Sequence, residues 1–198
     1  KDRSDRSTYK LLGGSIGFYG STLNTRQYAT KGYLEKLIAQ VFTGRERFEP
    51  GNPQEGYSPS PQERQSWLQI SYMKEAYHTM GPKFTLGWMA EALYSSKNFS
   101  ENYTATMMQA GEFAPTPHSK LMYNEAFRAN QYVAAGIKPI YVLNDMFQFR
   151  TEFYGFTPIF PIKKNALNKA YYGKAFSRFE YMGEVSVICQ LPFGAISA

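Results

Sequence analysis

A Gly-x-Ser-x-Gly pentapeptide, Gly13-Gly14-Ser15-Ile16-Gly17, is the feature of this sequence that most resembles a catalytic motif. In serine hydrolases the pattern places the serine on a sharp strand-to-helix turn, where backbone N–H groups can stabilise an oxyanion. Here the residues that follow, Phe18 to Thr22, are typical of a continuing strand. We therefore expect glycines that allow bending or close packing, no catalytic role for Ser15, and no enzyme activity in this chain. A Ser15-based hydrolase is kept as a competing hypothesis.

The two histidines and the single cysteine do not form a metal-binding pattern. His78 falls near a predicted turn and His118 in a Pro-rich stretch, and neither has a second ligand at metal-binding spacing. One cysteine excludes a disulfide framework, and Cys189 follows the apolar side of its strand as a small hydrophobic residue. We expect no metal and no cofactor.

Composition narrows the class of protein. Aromatic residues make up 17% of the 198 residues and hydrophobic residues 43%, which excludes a disordered chain. No apolar run approaches the 18 residues that a membrane-spanning helix needs. The net charge of +6 comes from scattered basic residues, with Lys163-Lys164 as the longest run, so we expect no nucleic-acid partner.

Alternation of apolar and polar residues is the dominant pattern, and it is typical of strands with two different faces. We predict eight strands, at residues 9–23, 33–48, 66–78, 83–95, 126–142, 146–156, 174–190 and 194–198. The clearest apolar faces belong to the fourth and seventh of these, and the alternation there predicts five lipid-facing residues: Phe84, Leu86, Trp88, Val185 and Val187.

Short and long connections alternate along the chain. Residues 79–82, 143–145 and 191–193 form short turns, whereas residues 49–65, 96–125 and 157–172 form long connections. Outer-membrane barrels have tight turns at one end and extended loops at the other, and several Tyr and Trp residues lie near strand ends, where they suit a membrane interface. The sequence therefore predicts an all-β, antiparallel up-and-down transmembrane β-barrel; the alternative is a soluble β-sandwich that binds carbohydrate.

Five charged residues lie by alternation on the polar face of the sixth and seventh predicted strands: Arg150, Glu152, Arg178, Glu180 and Glu184. Opposite charges on neighbouring strands attract. Two interpretations stay open: a lumen charge network that controls pore width or docks a plug, or the ordinary polar lining of a barrel interior.

The chain from Tyr9 to Ala198 resembles the C-terminal barrel of the bacterial surface antigen superfamily, most of all the barrel fused to patatin-like phospholipases. The residues that carry the resemblance are Thr30-Lys31-Gly32-Tyr33, Phe42-Thr43-Gly44-Arg45-Glu46, Gly136-Ile137-Lys138-Pro139, Phe149-Arg150-Thr151-Glu152 with Tyr154, and Glu180 to Val185 before Leu191-Pro192-Phe193-Gly194. The Arg-Gly-Phe or Arg-Gly-Tyr loop tip of the assembly factors and secretion pores does not occur, so the resemblance disfavours an assembly or secretion pore, which is retained only as a further alternative.

The resemblance implies an integral protein of a Gram-negative outer membrane that anchors or exports an attached lipase domain. Patatin lipases use an aspartate that is followed by glycine. Glycine follows none of Asp2, Asp5 and Asp145 in this sequence. Any lipase activity is therefore expected in an upstream domain. The family barrel has sixteen strands; residues 1–198 would then be a single segment from its second half, truncated at both ends. Its expected partners are outer-membrane lipids, the remaining strands of the same barrel and the upstream lipase domain.

Overall fold

The computed structural model describes residues 5–51, 64–191 and 194–197. Asp2, most of the predicted 49–65 connection, Pro192-Phe193 and Ala198 lie outside the described residues. Twelve strands are present there: β1 (Arg6–Ser21), β2 (Gly32–Glu49), β3 (Arg64–Thr79), β4 (Phe84–Ser95), β5 (Gly111–Glu112), β6 (Arg128–Ala129), β7 (Gln131–Val142), β8 (Phe147–Pro158), β9 (Ile162–Lys164), β10 (Ala170–Tyr172), β11 (Glu180–Leu191) and β12 (Gly194–Ser197). Helix α1 spans Tyr103–Gln109, and 3₁₀ turns span Ser119–Leu121 and Glu125–Phe127.

Eight of the strands form one sheet in the order β1-β2-β3-β4-β7-β8-β11-β12, and every neighbouring pair is antiparallel. The predicted up-and-down order of eight strands is confirmed. Strands β1 and β12 are its edges, and no ladder joins them within the described residues. Two small ladders, β5-β6 and β9-β10, lie apart from this sheet.

Two predicted strand starts were wrong. The fifth begins at Gln131 rather than at residue 126, because the Asn124 side chain accepts a hydrogen bond from the Ala126 N–H and caps the Glu125–Phe127 3₁₀ turn. The seventh begins at Glu180 rather than at residue 174, because Phe176 has a φ of 52°, which an extended strand does not tolerate.

Helix α1 was not predicted from the sequence. Asn102 caps it by accepting a hydrogen bond from the Ala105 N–H at 2.7 Å. In the described residues, no helix combines the length and apolar character needed to cross a membrane.

The sheet has two different faces. The inner face is the one on which residues 22–31, between β1 and β2, and residues 96–130, between β4 and β7, pack; the outer face is the opposite one. Residues 80–83 and 143–146 form connections at the short-turn end of the sheet, and residues 96–130 and 159–179 begin and end at its long-loop end. Because side chains alternate between faces along each strand, the register assigns every strand residue to one of the two.

The main core lies between the sheet and the 96–130 segment. Phe113 of that segment is 1% exposed, and its ring stacks on Phe156 of β8 at a centroid distance of 5.9 Å. Tyr132 and Tyr154, on the inner face of β7 and β8, meet the same ring edge-on at 6.3 Å and 6.0 Å. Full burial of an apolar side chain of this size contributes about 1.5–3 kcal/mol, so Phe113 fixes the segment against the sheet.

Candidate functional site

An ion pair between Arg150 and Glu152 occupies the inner face of β8. Arg150 is 1% exposed, and its Nη2 and Nε lie 2.9 Å and 3.0 Å from Oε1 of Glu152. Alternation explains the pair, because residues two apart on a strand share a face. The other carboxylate oxygen of Glu152 accepts a hydrogen bond from the Tyr154 hydroxyl at 2.5 Å. Both carboxylate oxygens of Glu152 are therefore engaged.

A second buried ion pair joins β7 to β3. Lys138, 4% exposed, places Nζ 3.1 Å from Oε1 of Glu75. Glu75 also accepts a hydrogen bond from the Tyr77 hydroxyl. The ammonium group lies 5.8 Å from the centroids of both the Tyr77 and Tyr154 rings, within cation–π range.

Tyr77 connects the two pairs, because Nη2 of Arg150 donates to its hydroxyl at 3.4 Å. The cluster formed by Glu75, Tyr77, Lys138, Arg150, Glu152 and Tyr154 is named the inner-face network below. Its two cations and two anions balance, so each buried charge has an opposite partner, as low-dielectric surroundings require. The network links β3, β7 and β8, and its acidic and basic groups are paired with one another.

The 22–31 segment is held against this network. Nη1 of Arg150 donates to the Ala29 carbonyl at 3.0 Å, Nε2 of Gln148 to the Tyr28 carbonyl at 3.1 Å, and Nε2 of Gln190 to the Gln27 carbonyl at 3.3 Å. These donors lie on β8 and β11, across the sheet from the β1–β2 pair that carries the segment. The segment therefore crosses the inner face at the short-turn end.

A cavity of about 580 Å³ lies beneath this crossing, between the 22–31 segment and the turns of the short-turn end. Its walls include Lys31, Lys83 and Asp145. Among the described residues, no group of three or more His, Cys, Asp or Glu side chains is placed to bind a metal ion.

The 96–130 segment closes the other end and contacts both edges of the sheet. At β1, the Tyr9 hydroxyl lies 3.1 Å from Oγ of Ser100. On the far side, Nδ1 of His118 lies 2.9 Å from Oε1 of Glu184 on β11, and its Nε2 is 3.5 Å from Oγ of Ser197 on β12. One connection thus spans the inner face from the first strand to the last.

Lys97, in the same segment, sits between two aromatic rings. Its Nζ lies 5.0 Å from the Trp67 ring centroid and 5.7 Å from that of Tyr9. Burial disfavours the charged amine and lowers the pKa of Lys97 to about 8, against a smaller opposing effect of Glu46.

The five charged residues predicted for the inner side do not form one network. Arg150 and Glu152 pair with each other; Arg178 and Glu180 pair separately, at 2.7 Å, where β11 begins; Glu184 pairs with His118. Across the β8–β11 ladder, Glu184 lies opposite Glu152, and Ser186 lies opposite Arg150. The ladder therefore brings like charges into register, and each carboxylate finds its partner elsewhere.

The predicted set of charged residues did not include four members of the network: Glu75, Tyr77, Lys138 and Tyr154. Alternation along the strands could have placed them on the inner face, since Glu75 and Tyr77 share that face of β3 and Lys138 lies on that of β7. The spacing around His118 did not predict its contact with Glu184; only the path of its segment brings the two side chains together.

The five residues predicted to face lipid all lie on the outer face. Phe84, Val185 and Val187 are 40%, 63% and 50% exposed, and Leu86 and Trp88 are half-buried. They belong to a larger uncharged surface. On β4, β7, β8 and β11 no outer-face residue is Asp, Glu, Lys or Arg, whereas the inner face of the same strands carries six: Glu91, Lys138, Arg150, Glu152, Glu180 and Glu184.

On β1, β2 and β3 the outer face is apolar in the middle and charged towards the ends. Ile16, Val41 and Ile70 lie in the middle and are exposed. Lys10 and Arg45 face each other near the long-loop end, and Lys74 lies 3.8 Å from Glu35 near the short-turn end. The apolar surface therefore forms a band.

Three remaining candidates have ordinary positions. Ser15 is an exposed mid-strand residue of β1, opposite Gln40, and not on a strand-to-helix turn. Nε1 of Trp88 lies 3.4 Å from Nε2 of His78 on the outer face. Cys189 is half-buried on β11.

No protein-family model, curated protein or solved structure matches this chain.

Proposed function

We propose that this chain is part of a β-barrel that spans an outer membrane, with its outer face against lipid and its inner face closed by the 22–31 and 96–130 segments. The observation that carries the proposal is the absence of charge on the outer face of β4, β7, β8 and β11 within the described residues, beside six charges on the inner face. Contiguous exposed apolar surface of this kind marks an interaction surface, and a bilayer is the partner that covers a whole sheet face evenly.

Strand dimensions support the proposal. Each of β4, β7, β8 and β11 has 12 residues, and a tilted strand needs about 9–11 residues to cross a bilayer. Charged residues flank the apolar band near both ends on β1 to β3, where a membrane would meet water. Edge strands in hydrocarbon need partners, so the proposal includes further strands that pair with β1 and β12 and close the barrel.

The role that follows is anchoring, or assisting the export of, an attached domain. The inner face is filled by two segments and by paired charges, which favours an anchor over an open channel. The identity of the attached domain as a patatin-like lipase rests on the sequence resemblance alone, and so does the placement in a Gram-negative outer membrane.

The test is flotation, with phosphatidylcholine vesicles, of the complete protein that carries this chain and the further strands, compared between Val187→Lys and Leu167→Lys. Val187 is an outer-face residue of β11, and Leu167 is 79% exposed in the β9–β10 turn. A basic residue on a lipid face costs about 2–4 kcal/mol near the bilayer centre, so Val187→Lys should lower the inserted fraction strongly and Leu167→Lys should not.

In a soluble β-sandwich, a lysine at either exposed position would change stability by about 0.5 kcal/mol or less. A chain that stays in the aqueous fraction, with both variants behaving like the parent, would overturn the proposal.

A further inference from the structure

An apolar groove of about 510 Å³ runs along the outer face near the long-loop end. Its walls come from β7, β8 and β11 and from the residue before β11: Ala135, Ile137, Gly155, Phe179, Tyr181 and Gly183. It exists because small residues meet there. Ala135 lies opposite Gly155 on the β7–β8 ladder, and the neighbouring β11 contributes Gly183.

The rings that flank these small residues define the shape of the groove. A Cβ built on Gly155 would lie 2.9 Å from the Phe179 ring, which therefore rests on that glycine. A Cβ on Gly183 would lie 3.5 Å from the Phe153 ring, which is ordinary contact and leaves space above it. Groove walls that contact no other atoms lack dispersion contacts. A narrow apolar chain could enter the groove and supply those contacts, whereas a partner with a flat surface could not.

The segment that supplies Phe179 is strongly basic. Residues 159–179 contain five cations, Lys163, Lys164, Lys169, Lys174 and Arg178, and no Asp or Glu. Arg178 is paired with Glu180. The four lysines are exposed, and no carboxylate lies within 4 Å of them in the part of the chain that the structure describes.

Exposed aromatic side chains lie among these lysines in the sequence. Phe160, Tyr171 and Tyr172 are 38–45% exposed, and Phe176 is 63% exposed. Amphipathic rings beside cations are typical of the boundary between a bilayer and water. The β9–β10 ladder places Lys163 opposite Tyr171, and Lys174 is five residues from Phe179, at most about 18 Å along an extended chain.

We propose that this surface binds one phosphate-bearing lipid, with an acyl chain in the groove and the phosphate against the lysines of residues 159–179. The inference rests on the proposed function, because the groove must face lipid to receive an acyl chain. A nucleic acid could also bind the lysines through its phosphates. It has no acyl chain to fill an apolar groove that is continuous with the uncharged outer face. The observations therefore favour an anionic lipid over an oligonucleotide.

The test uses the purified chain in dodecyl maltoside, titrated with phosphatidylglycerol or phosphatidylcholine, with bound lipids counted by native mass spectrometry. The parent chain should retain phosphatidylglycerol at least about tenfold more tightly, since each lysine near an anionic headgroup contributes favourably. Changing Lys163, Lys164, Lys169 and Lys174 together to Gln should abolish that preference. The matched control changes four other exposed lysines, Lys10, Lys31, Lys83 and Lys120, to Gln and should keep it.

Filling the groove tests the acyl-chain half of the proposal. Gly183→Leu should weaken binding of both lipids, whereas Gly14→Leu, at an outer-face glycine of β1 with nothing within 4 Å of an added Cβ, should not. Equal retention of the two lipids by the parent chain would overturn the inference. So would binding of a fluorescent single-stranded RNA that depends on the same four lysines while phosphatidylglycerol is not retained.

Flotation distinguishes failure of the lipid-binding inference from failure of the membrane assignment. A chain that floats with phosphatidylcholine vesicles but shows no preference for phosphatidylglycerol contradicts this inference and leaves the membrane assignment standing. A chain that does not float contradicts the membrane assignment itself.

Discussion

The hydroxyl of Tyr77 lies 3.4 Å from Nη2 of Arg150, although β4 and β7 separate the strands that carry the two residues. Neighbouring strands are about 4.8 Å apart, so β3 and β8 would be about 14 Å apart in a flat sheet. The two long side chains together span that distance across the inner face. The contact therefore ties β3 to β8 over two intervening strands.

Removing Arg150 should be costly because it leaves Glu152 buried without a cation. We expect Arg150→Met to lower the free energy of unfolding by about 3–5 kcal/mol. The double variant Arg150→Met/Glu152→Leu should lose less than Arg150→Met alone, since no unpaired charge remains. Urea unfolding followed by tryptophan fluorescence measures both.

The control for this pair is Arg178→Gln, which breaks an ion pair that is about one-third exposed. Such pairs contribute about 0–1 kcal/mol. Equal losses for Arg178→Gln and Arg150→Met would show that burial does not decide the strength of the inner-face network.

Phe113 should be the residue that holds the 96–130 segment on the inner face. Phe113→Ala removes a ring that contacts Phe127, Tyr132, Tyr154 and Phe156, and we expect a loss of about 3–5 kcal/mol. Limited proteolysis should then cut within residues 96–130 sooner than in the parent chain. Phe176→Ala, at a ring that is 63% exposed, should leave both stability and cleavage unchanged; the same cleavage pattern in both variants would contradict this role for Phe113.

Lys97 should react with amine reagents at a lower pH than a lysine in a model peptide. Burial lowers its pKa to about 8, so half-maximal acetylation by pulsed acetic anhydride should fall near pH 8, against about 10.4 for the model-peptide lysine. Peptide mass spectrometry reads each site separately. Half-maximal acetylation of Lys97 at the same pH in the folded and the urea-unfolded chain would show that Lys97 is solvated.

The lowered pKa of Lys97 also predicts how the free energy of unfolding changes with pH. Between pH 8 and 10.5 the unfolded chain binds more protons at Lys97 than the folded chain does. The unfolding free energy of the parent chain should therefore rise with pH across that window relative to Lys97→Gln. A difference between the two that is constant from pH 8 to 10.5 would contradict the shift.

Strand positions were predictable from the sequence because alternation is a signal repeated over a dozen residues. The strand through Val185 and Val187 shows it, since every second residue there is apolar. Short elements contain too few residues for a periodic pattern to be recognised. Helix α1 has seven residues and is marked mainly by its Asn102 cap, and strand β5 has only two residues.

The contents of the inner face were predictable only in part. Arg150 and Glu152 share a face by spacing along one strand, so their pairing could be inferred. Lys138 and Glu75 come together through strand order and register, and so do Tyr77 and Arg150. The residue pattern of a single strand encodes neither. His118 and Glu184 are 66 residues apart, and their contact depends on the fold of the whole 96–130 segment.

The most direct test of the membrane assignment is the environment of single outer-face side chains. In a Cys189→Ser background, nitroxide labels at positions 137, 185 and 187 would be compared with one at position 167 in phosphatidylcholine vesicles. We expect the three outer-face labels to collide readily with oxygen, which dissolves in hydrocarbon, and little with a water-soluble nickel chelate. The label at 167 should do the reverse. Nickel accessibility at 137, 185 and 187 equal to that at 167 would contradict the membrane assignment.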